Sequence, residues 1–230
     1  MYGTKRIRGF LHYRTDLGDG VRTGVVFSDC SEECGAVCET FRFLPEHDFS
    51  EDTLEKSEYT SSELIAYLLE EKTMYYAKPI GITFLGKEPL RDPFFCREVA
   101  LGLKQVGIGL QIYTCGMCSM TSFECLDGLV ETYVLRVFLS SFFSSENSVF
   151  HRGEQVRRAI DYLERRGTPY RICLPISSSC TVESAEAFSD YLLTLSGVKS
   201  VILDFSVQPL ASDLKDALKS VFLKKRIPLY

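Results

Sequence analysis

Six short apolar runs separated by amphipathic helical patterns constrain this chain more than any other feature. The runs lie at Gly24 to Phe27, Gly81 to Leu85, Leu110 to Thr114, Tyr133 to Leu139, Tyr170 to Leu174 and Ser200 to Val207. They are rich in Val, Ile, Phe and Tyr and nearly continuous in hydrophobicity, which suits strands buried on both faces. Helical periodicities fill the gaps. Thr60-Ser-Ser-Glu63 has the spacing of a capping box, and Leu64, Ile65, Leu68 and Leu69 set two apolar rows behind it. Asp92 can cap a helix whose Phe95, Val99, Leu103 and Val106 recur at intervals of 4, 4 and 3. Val156, Ala159, Ile160 and Leu163 mark another helix, Ala185, Phe188 and Leu192 a further one, and Leu214, Ala217, Leu218, Val221 and Phe222 the last. Only the segment after Cys118 is weak, broken by Gly128. Six β/α units in succession predict a parallel sheet with helical crossovers, either an open doubly wound sheet or a barrel that stops short of eight strands.

The chain has 230 residues and 45% hydrophobic content, enough for one sizeable core, so the expectation is a single domain over 1–230 with a short N-terminal extension, 1–8. A formal charge of -5 gives no electrostatic reason to expect a nucleic-acid partner, and the basic stretch Lys5-Arg6-Ile7-Arg8 is too short to change that. No apolar stretch reaches the roughly 20 residues of a membrane span, and the N-terminus has no signal-peptide core, so the expected compartment is the reducing cytoplasm. Nine cysteines there argue for metal or redox chemistry rather than a disulfide framework. Cys96 and Cys173, each inside an apolar pattern, read as buried small hydrophobes.

Both topologies place active groups at the C-terminal ends of the strands. The sequence puts Cys30, Cys34 and Cys38 after the first apolar run, Gly86-Lys87-Glu88-Pro89 after the second, and Cys115-Gly-Met-Cys118 after the third. Three clustered thiolates need a distant fourth ligand to complete a structural zinc site. An iron–sulfur cube held by three cysteines keeps one iron open to a further ligand. Cys115, Cys118 and Cys125 form a candidate second set: a ligand group, a redox pair or a zinc half-site. His47 falls in a polar acidic stretch and reads as a surface residue, and Ser140 to Asn147 reads as a Ser-rich connection with two exposed Phe residues.

"GDGVRTGVVFSDC", Gly18 to Cys30, resembles the glycine-rich segment, strand and first cluster cysteine of the radical S-adenosylmethionine enzymes, within them the activating enzymes of glycyl radical enzymes. "GITFLGKEPL", Gly81 to Leu90, is similar to that family's second strand and Gly-Gly-Glu-Pro turn. "YTCG", Tyr113 to Gly116, stands where the family has Asp-Thr-Asn-Gly, and Tyr170-Arg171 fits its fifth strand. The chain departs from the family in several places. The cysteine spacing is Cys-x3-Cys-x3-Cys instead of Cys-x3-Cys-x2-Cys, with Val37 in the place of an aromatic. Glu39-Thr40 replaces His-Asn, Lys87 stands for the second glycine, Tyr113 for an aspartate, and the family's Asp-Leu-Lys finds only apolar residues near Val137-Phe138-Leu139.

The resemblance implies a partial (β/α)6 TIM-like barrel. It implies that Cys30, Cys34 and Cys38 hold a [4Fe–4S] cluster whose open iron binds S-adenosylmethionine, with zinc as the alternative metal. The turn Gly86, Lys87 and Glu88 would bind the methionine amino group, and Arg171, one of few charges inside an apolar run, would contact cofactor or substrate. The implied activity is cleavage of the cofactor to a 5′-deoxyadenosyl radical that abstracts a hydrogen from a partner protein, a glycyl radical enzyme, with an electron donor as second partner. The alternative is a catalytically degenerate relative that keeps the fold as a thiolate metal-binding or protein-interaction scaffold.

Overall fold

The computed structural model describes residues 3–28, 57–72, 80–143, 152–205 and 209–230; Cys30, Cys34, Cys38, His47 and positions 144–147 of the Ser-rich connection lie outside them. Among the described residues the chain forms two compact units.

The first unit opens with β1 (Lys5–Arg14), which pairs antiparallel with β2 (Val21–Phe27) in the register Ile7↔Phe27 and Phe10↔Val25. The basic stretch at residues 5–8 is thus the first half of a strand, with Ile7, Gly9 and Leu11 buried and Arg6 and Arg8 exposed between them. Its polar face hides it from a search for continuous apolar runs. A two-residue strand, β3 (Glu58–Tyr59), pairs antiparallel with Lys5 and Arg6, and leads into α1 (Ser61–Lys72). The expected capping box forms: Thr60 N donates to Glu63 Oε2 at 2.8 Å and Glu63 N to Thr60 Oγ1 at 3.3 Å. β4 (Ile80–Gly86) lies parallel to β2, from Val21↔Ile80 to Phe27↔Gly86. α2 (Pro93–Gln105) returns the chain to β5 (Leu110–Thr114), which is parallel to β4, and the short α3 (Met120–Cys125) ends the unit.

α2 buries Phe95, Val99 and Leu103 completely, and Cys96 with them, each large side chain contributing about 2–3 kcal/mol of transfer free energy. Val106, expected on the same face, is 37% exposed, because the helix stops at Gln105 and Gly107 turns away at φ +73°.

The second unit contains the parallel strands β6 (Thr132–Arg136), β7 (Tyr170–Pro175) and β8 (Val198–Asp204), joined through α4 (Leu139–Phe142), α5 (Arg152–Arg166) and α6 (Val182–Leu192), with α7 (Ser212–Lys224) following. Of the two Phe residues expected to be exposed, Phe143 is, at 48%, but Phe142 is buried. The Phe142 ring sits edge-on to Phe188 with centroids 4.9 Å apart, since the chain makes a helical turn there that aims it at α6. Cys173 is fully buried in β7, as its apolar surroundings predict. Among the described residues no helix is long and apolar enough to cross a membrane.

Glu164 on α5 fastens this unit. Its carboxylate accepts from Tyr170 Oη at 2.6 Å, from Ser196 N and Oγ at 2.9 and 2.7 Å, and from Gly197 N at 2.7 Å. Burial pushes the carboxyl up, but these donors outweigh it and hold the group down at about 2. A folded-state value below the unfolded one means stabilisation that is complete above the ordinary carboxylate range and is lost as pH falls toward 2. Glu164→Ala is expected to lower stability by about 1–2 kcal/mol at neutral pH. Thermal melts of variant and wild type should converge as pH is lowered from about 5 toward about 2, and a constant difference would contradict the assignment.

Candidate functional site at the strand ends

In the first unit the C-terminal ends of the parallel strands are shaped by the turn Gly86-Lys87-Glu88. Gly86 has φ +101°, and a Cβ there would stand 2.4 Å from the Phe27 carbonyl oxygen, so only glycine lets β4 end this close to β2. Lys87 N donates to that same Phe27 carbonyl at 3.1 Å while its side chain is exposed. Glu88 turns the other way and is 3% exposed. Its carboxylate accepts from Thr114 Oγ1 at 2.8 and 3.0 Å and from Leu90 N at 3.1 Å, which caps the 3-10 turn Pro89–Arg91. Asp92 then caps α2 by accepting from Phe95 N at 3.1 Å, as its position predicts. The turn therefore presents a buried carboxylate at the end of β4, tied to the last residue of β5.

The thiols near this turn are held by ordinary contacts. Cys96 Sγ donates to Pro89 O at 3.1 Å and Cys125 Sγ to Pro93 O at 3.7 Å. Burial pushes the Cys118 thiol up, the Glu88 charge adds to that, and hydrogen bonds with Ser122 and Thr114 oppose it. A thiol raised in this way is protonated at neutral pH. Cys115 is buried in the second unit. Among the described residues no three His, Cys, Asp or Glu side chains are grouped to hold a metal.

The glycine-rich segment lies at the opposite ends of these strands. Arg22, 4% exposed, donates from Nε to Thr83 Oγ1 at 2.8 Å and from Nη2 to the carbonyls of Ile82 and Gly109 at 2.8 and 3.1 Å. A Cβ on Gly81 would stand 2.3 Å from its guanidinium carbon, and one on Gly18 would stand 2.6 Å from Gln111 Oε1. Gly18 and Gly20 take φ +134° and +79°. These residues shape the start of the sheet.

In the second unit, register places Arg171 beside Val134 and Cys173 beside Arg136. Tyr170 reaches Glu164 on α5, so Arg171, Cys173 and Arg136 line the face turned away from that helix. Arg171 is 5% exposed and its guanidinium carbon lies 4.3 Å from the centroid of the Tyr230 ring. Burial pushes the Cys173 thiol up, with Asp204 adding to the rise and Arg136 opposing it. Arg136 and Asp204 escape the sequence reading. The signal is present, since each is a lone charge in an apolar run, "YVLRVFL" and "VILDF", as Arg171 is in its own. Ser200 Oγ, buried on β8, has no hydrogen-bond partner among the described residues.

No protein-family profile and no curated protein sequence matches the chain. Solved structures do. A domain of pyruvate-formate lyase-activating enzyme from Bacteroides vulgatus ATCC 8482 superposes with a TM-score of 0.54 at 16% identity, over 65% of this chain and 97% of that one. Streptococcus suis SuiB bound to S-adenosylmethionine gives 0.56 at 17% identity, over 74% of this chain and 41% of SuiB. The same protein bound to its precursor peptide SuiA gives 0.58 at 17%, over 76% and 42%. This chain thus spans about two fifths of SuiB. At such identities the likeness is one of fold. The fold is α/β, with a mostly parallel, unclosed sheet and helical crossovers, and it is the fold that the resemblance to radical S-adenosylmethionine enzymes implies.

Thr114→Val should leave the Glu88 carboxylate buried with a donor removed, at a cost of about 1–3 kcal/mol. Urea titration should give a lower midpoint at an unchanged slope. Gly86→Ala should cost at least as much, through both the φ value and the Phe27 carbonyl.

Proposed function

We propose that this chain is a radical S-adenosylmethionine enzyme of the glycyl radical activase kind, working in the cytoplasm as one domain over 1–230 and acting on a glycine of a partner protein. The observation that carries the reading is the fold shared with the activating-enzyme domain, nearly all of which the chain covers, at 97%. The complexes of SuiB with S-adenosylmethionine and with a precursor peptide lend support for the same cofactor and for a polypeptide substrate here.

The residues at the strand ends fit this use. The Lys87 side chain is exposed, so the residue that replaces a family glycine does not fill the turn, and Glu88 supplies a buried negative charge suited to an ammonium group. In the second unit the buried Ser200 hydroxyl, without a hydrogen-bond partner among the described residues, offers a polar group to a ligand. In this reading Cys30, Cys34 and Cys38 hold the cluster, Gly86 to Glu88 hold the methionine amino group, and Arg171 contacts the cofactor. Held by Cys30, Cys34 and Cys38, such a cluster would supply, once reduced by an electron donor, the one electron needed for reductive cleavage of S-adenosylmethionine. The chain's own part is to exclude water, fix the cofactor's charged end and admit the partner's backbone.

A second reading, a scaffold that keeps the fold without catalysis, is favoured by one observation: the Glu88 carboxylate is already committed to Thr114 and Leu90. Anaerobic reconstitution with iron and sulfide separates the two. The enzyme reading expects about four irons per chain, lost on Cys34→Ala, a reduced-cluster EPR signal that shifts on adding S-adenosylmethionine, and 5′-deoxyadenosine as product. A colourless protein holding a single zinc would establish the scaffold instead.

A further inference from the structure

β8 ends at Asp204, and the next residue, Phe205, receives two cations from α7: Lys215 Nζ lies 5.7 Å and Lys219 Nζ 5.6 Å from the centroid of its ring. Phe205 and Lys215 are half-buried and Lys219 is exposed. Among the described residues neither lysine forms an ion pair, and the carboxylates of the same helix pair with neither, Asp213 accepting instead from Ser212 Oγ at 3.3 Å. The arrangement runs against two local preferences. Like charges at i and i+4 on a helix repel, and Lys215 stands near the N-terminus of α7, the positive end of its macrodipole. A phenyl ring attracts an ammonium group through its quadrupole but does not cancel the charge. Two full positive charges therefore remain beside one ring at the C-terminal end of a parallel strand, the end at which folds of this kind present their working groups. The setting is local: the whole chain carries -5, whereas the residues from Ser212 onward hold Lys215, Lys219, Lys224, Lys225 and Arg226 against Asp213 and Asp216.

We propose that Phe205, Lys215 and Lys219 form a docking site for an acidic segment of the polypeptide partner. Four helical residues rise about 6 Å, and side chains two positions apart on an extended chain are spaced by about 7 Å, so the two lysines match carboxylates at alternate positions of an extended segment. The ring holds both ammonium groups in place beforehand, which lowers the ordering cost of engaging them. The inference rests on the functional reading for one point, that the partner is a polypeptide.

The test is fluorescence anisotropy of a labelled hexapeptide, Glu-Ser-Glu-Ser-Glu-Ser, titrated with the full chain at low salt. Saturable binding is expected, and Lys215→Gln and Lys219→Gln should each weaken it about three- to tenfold, and further in combination. Phe205→Leu removes the π face and should weaken it about two- to threefold; should that variant fail to fold by circular dichroism, the lysine variants carry the comparison. Lys224→Gln removes an equal charge more than a turn further along α7 and should leave the affinity unchanged. An equal loss on Lys224→Gln overturns the proposal, since bulk charge and not the cluster would then bind. Absence of saturable binding overturns it too, as does displacement of the peptide by inorganic phosphate where chloride of the same ionic strength displaces none. The titration needs neither iron nor S-adenosylmethionine. Binding with the expected pattern by a protein that yields no 5′-deoxyadenosine on reconstitution keeps the docking site and overturns the enzyme reading, whereas no binding by a protein that does yield it overturns the docking site alone.

Discussion

The Arg22 guanidinium is taken almost wholly out of water, a move that costs several kcal/mol unless its donors are met. They are met by the Thr83 hydroxyl and by carbonyls from Ile82, Gly109 and Asp19, so β2, β4 and the approaches to β2 and β5 are fastened at one point. Glu131 stands 3.8 Å away but is 60% exposed on its side chain, and a solvated partner at that distance adds little. The neighbouring glycines follow from this charge. Gly81 must lack a Cβ for the guanidinium to lie where it does, and Gly18 must lack one to admit Gln111, whose Nε2 donates to Leu17 O at 2.7 Å. The strands that leave this clasp in parallel arrive at their other ends with Phe27, Gly86 and Thr114 close enough to build the turn around Glu88.

That arrangement explains what the sequence makes legible. Parallel strands covered on both faces are largely apolar, so all six are visible as runs, and the run Leu110–Thr114 coincides with β5. β1 was not visible because it is antiparallel and half exposed, with Arg6 and Arg8 alternating against Ile7 and Gly9. Helix caps were legible at Thr60 and Asp92, where the chemistry is local, whereas the fate of Phe142 depended on α6, far along the chain. The strand-end residues Gly86 and Glu88 stand out by motif. Arg136 does not, since it is a lone charge in an apolar run with no motif around it.

The second unit shows why such charges carry information. Arg136 and Arg171 share one face of β6 and β7, with Asp204 at the end of β8, all three buried. A charge inside a parallel strand costs more than the apolar residue it displaces unless its polar atoms are met. Arg136, Arg171 and Asp204 stand on the face turned away from α5, while the face toward α5 is fastened by Glu164 and the Tyr170 hydroxyl.

Glu88 combines both roles. Its bonds to Thr114 and Leu90 make it part of the fold, and they also hold a negative charge in a region of low effective dielectric, where its field is stronger than at the surface. After burial itself, Glu88 is the next cause of the rise in the Cys118 thiol, so the carboxylate disfavours a second anion beside it. The same field favours a cation. An ammonium group brought to the turn would gain from a charge already desolvated and fixed by the fold, without the cost of burying a fresh carboxylate at the moment of binding. In the proposed enzyme reading, the hydrogen bonds from Thr114 and Leu90 would hold Glu88 fixed to receive such a group.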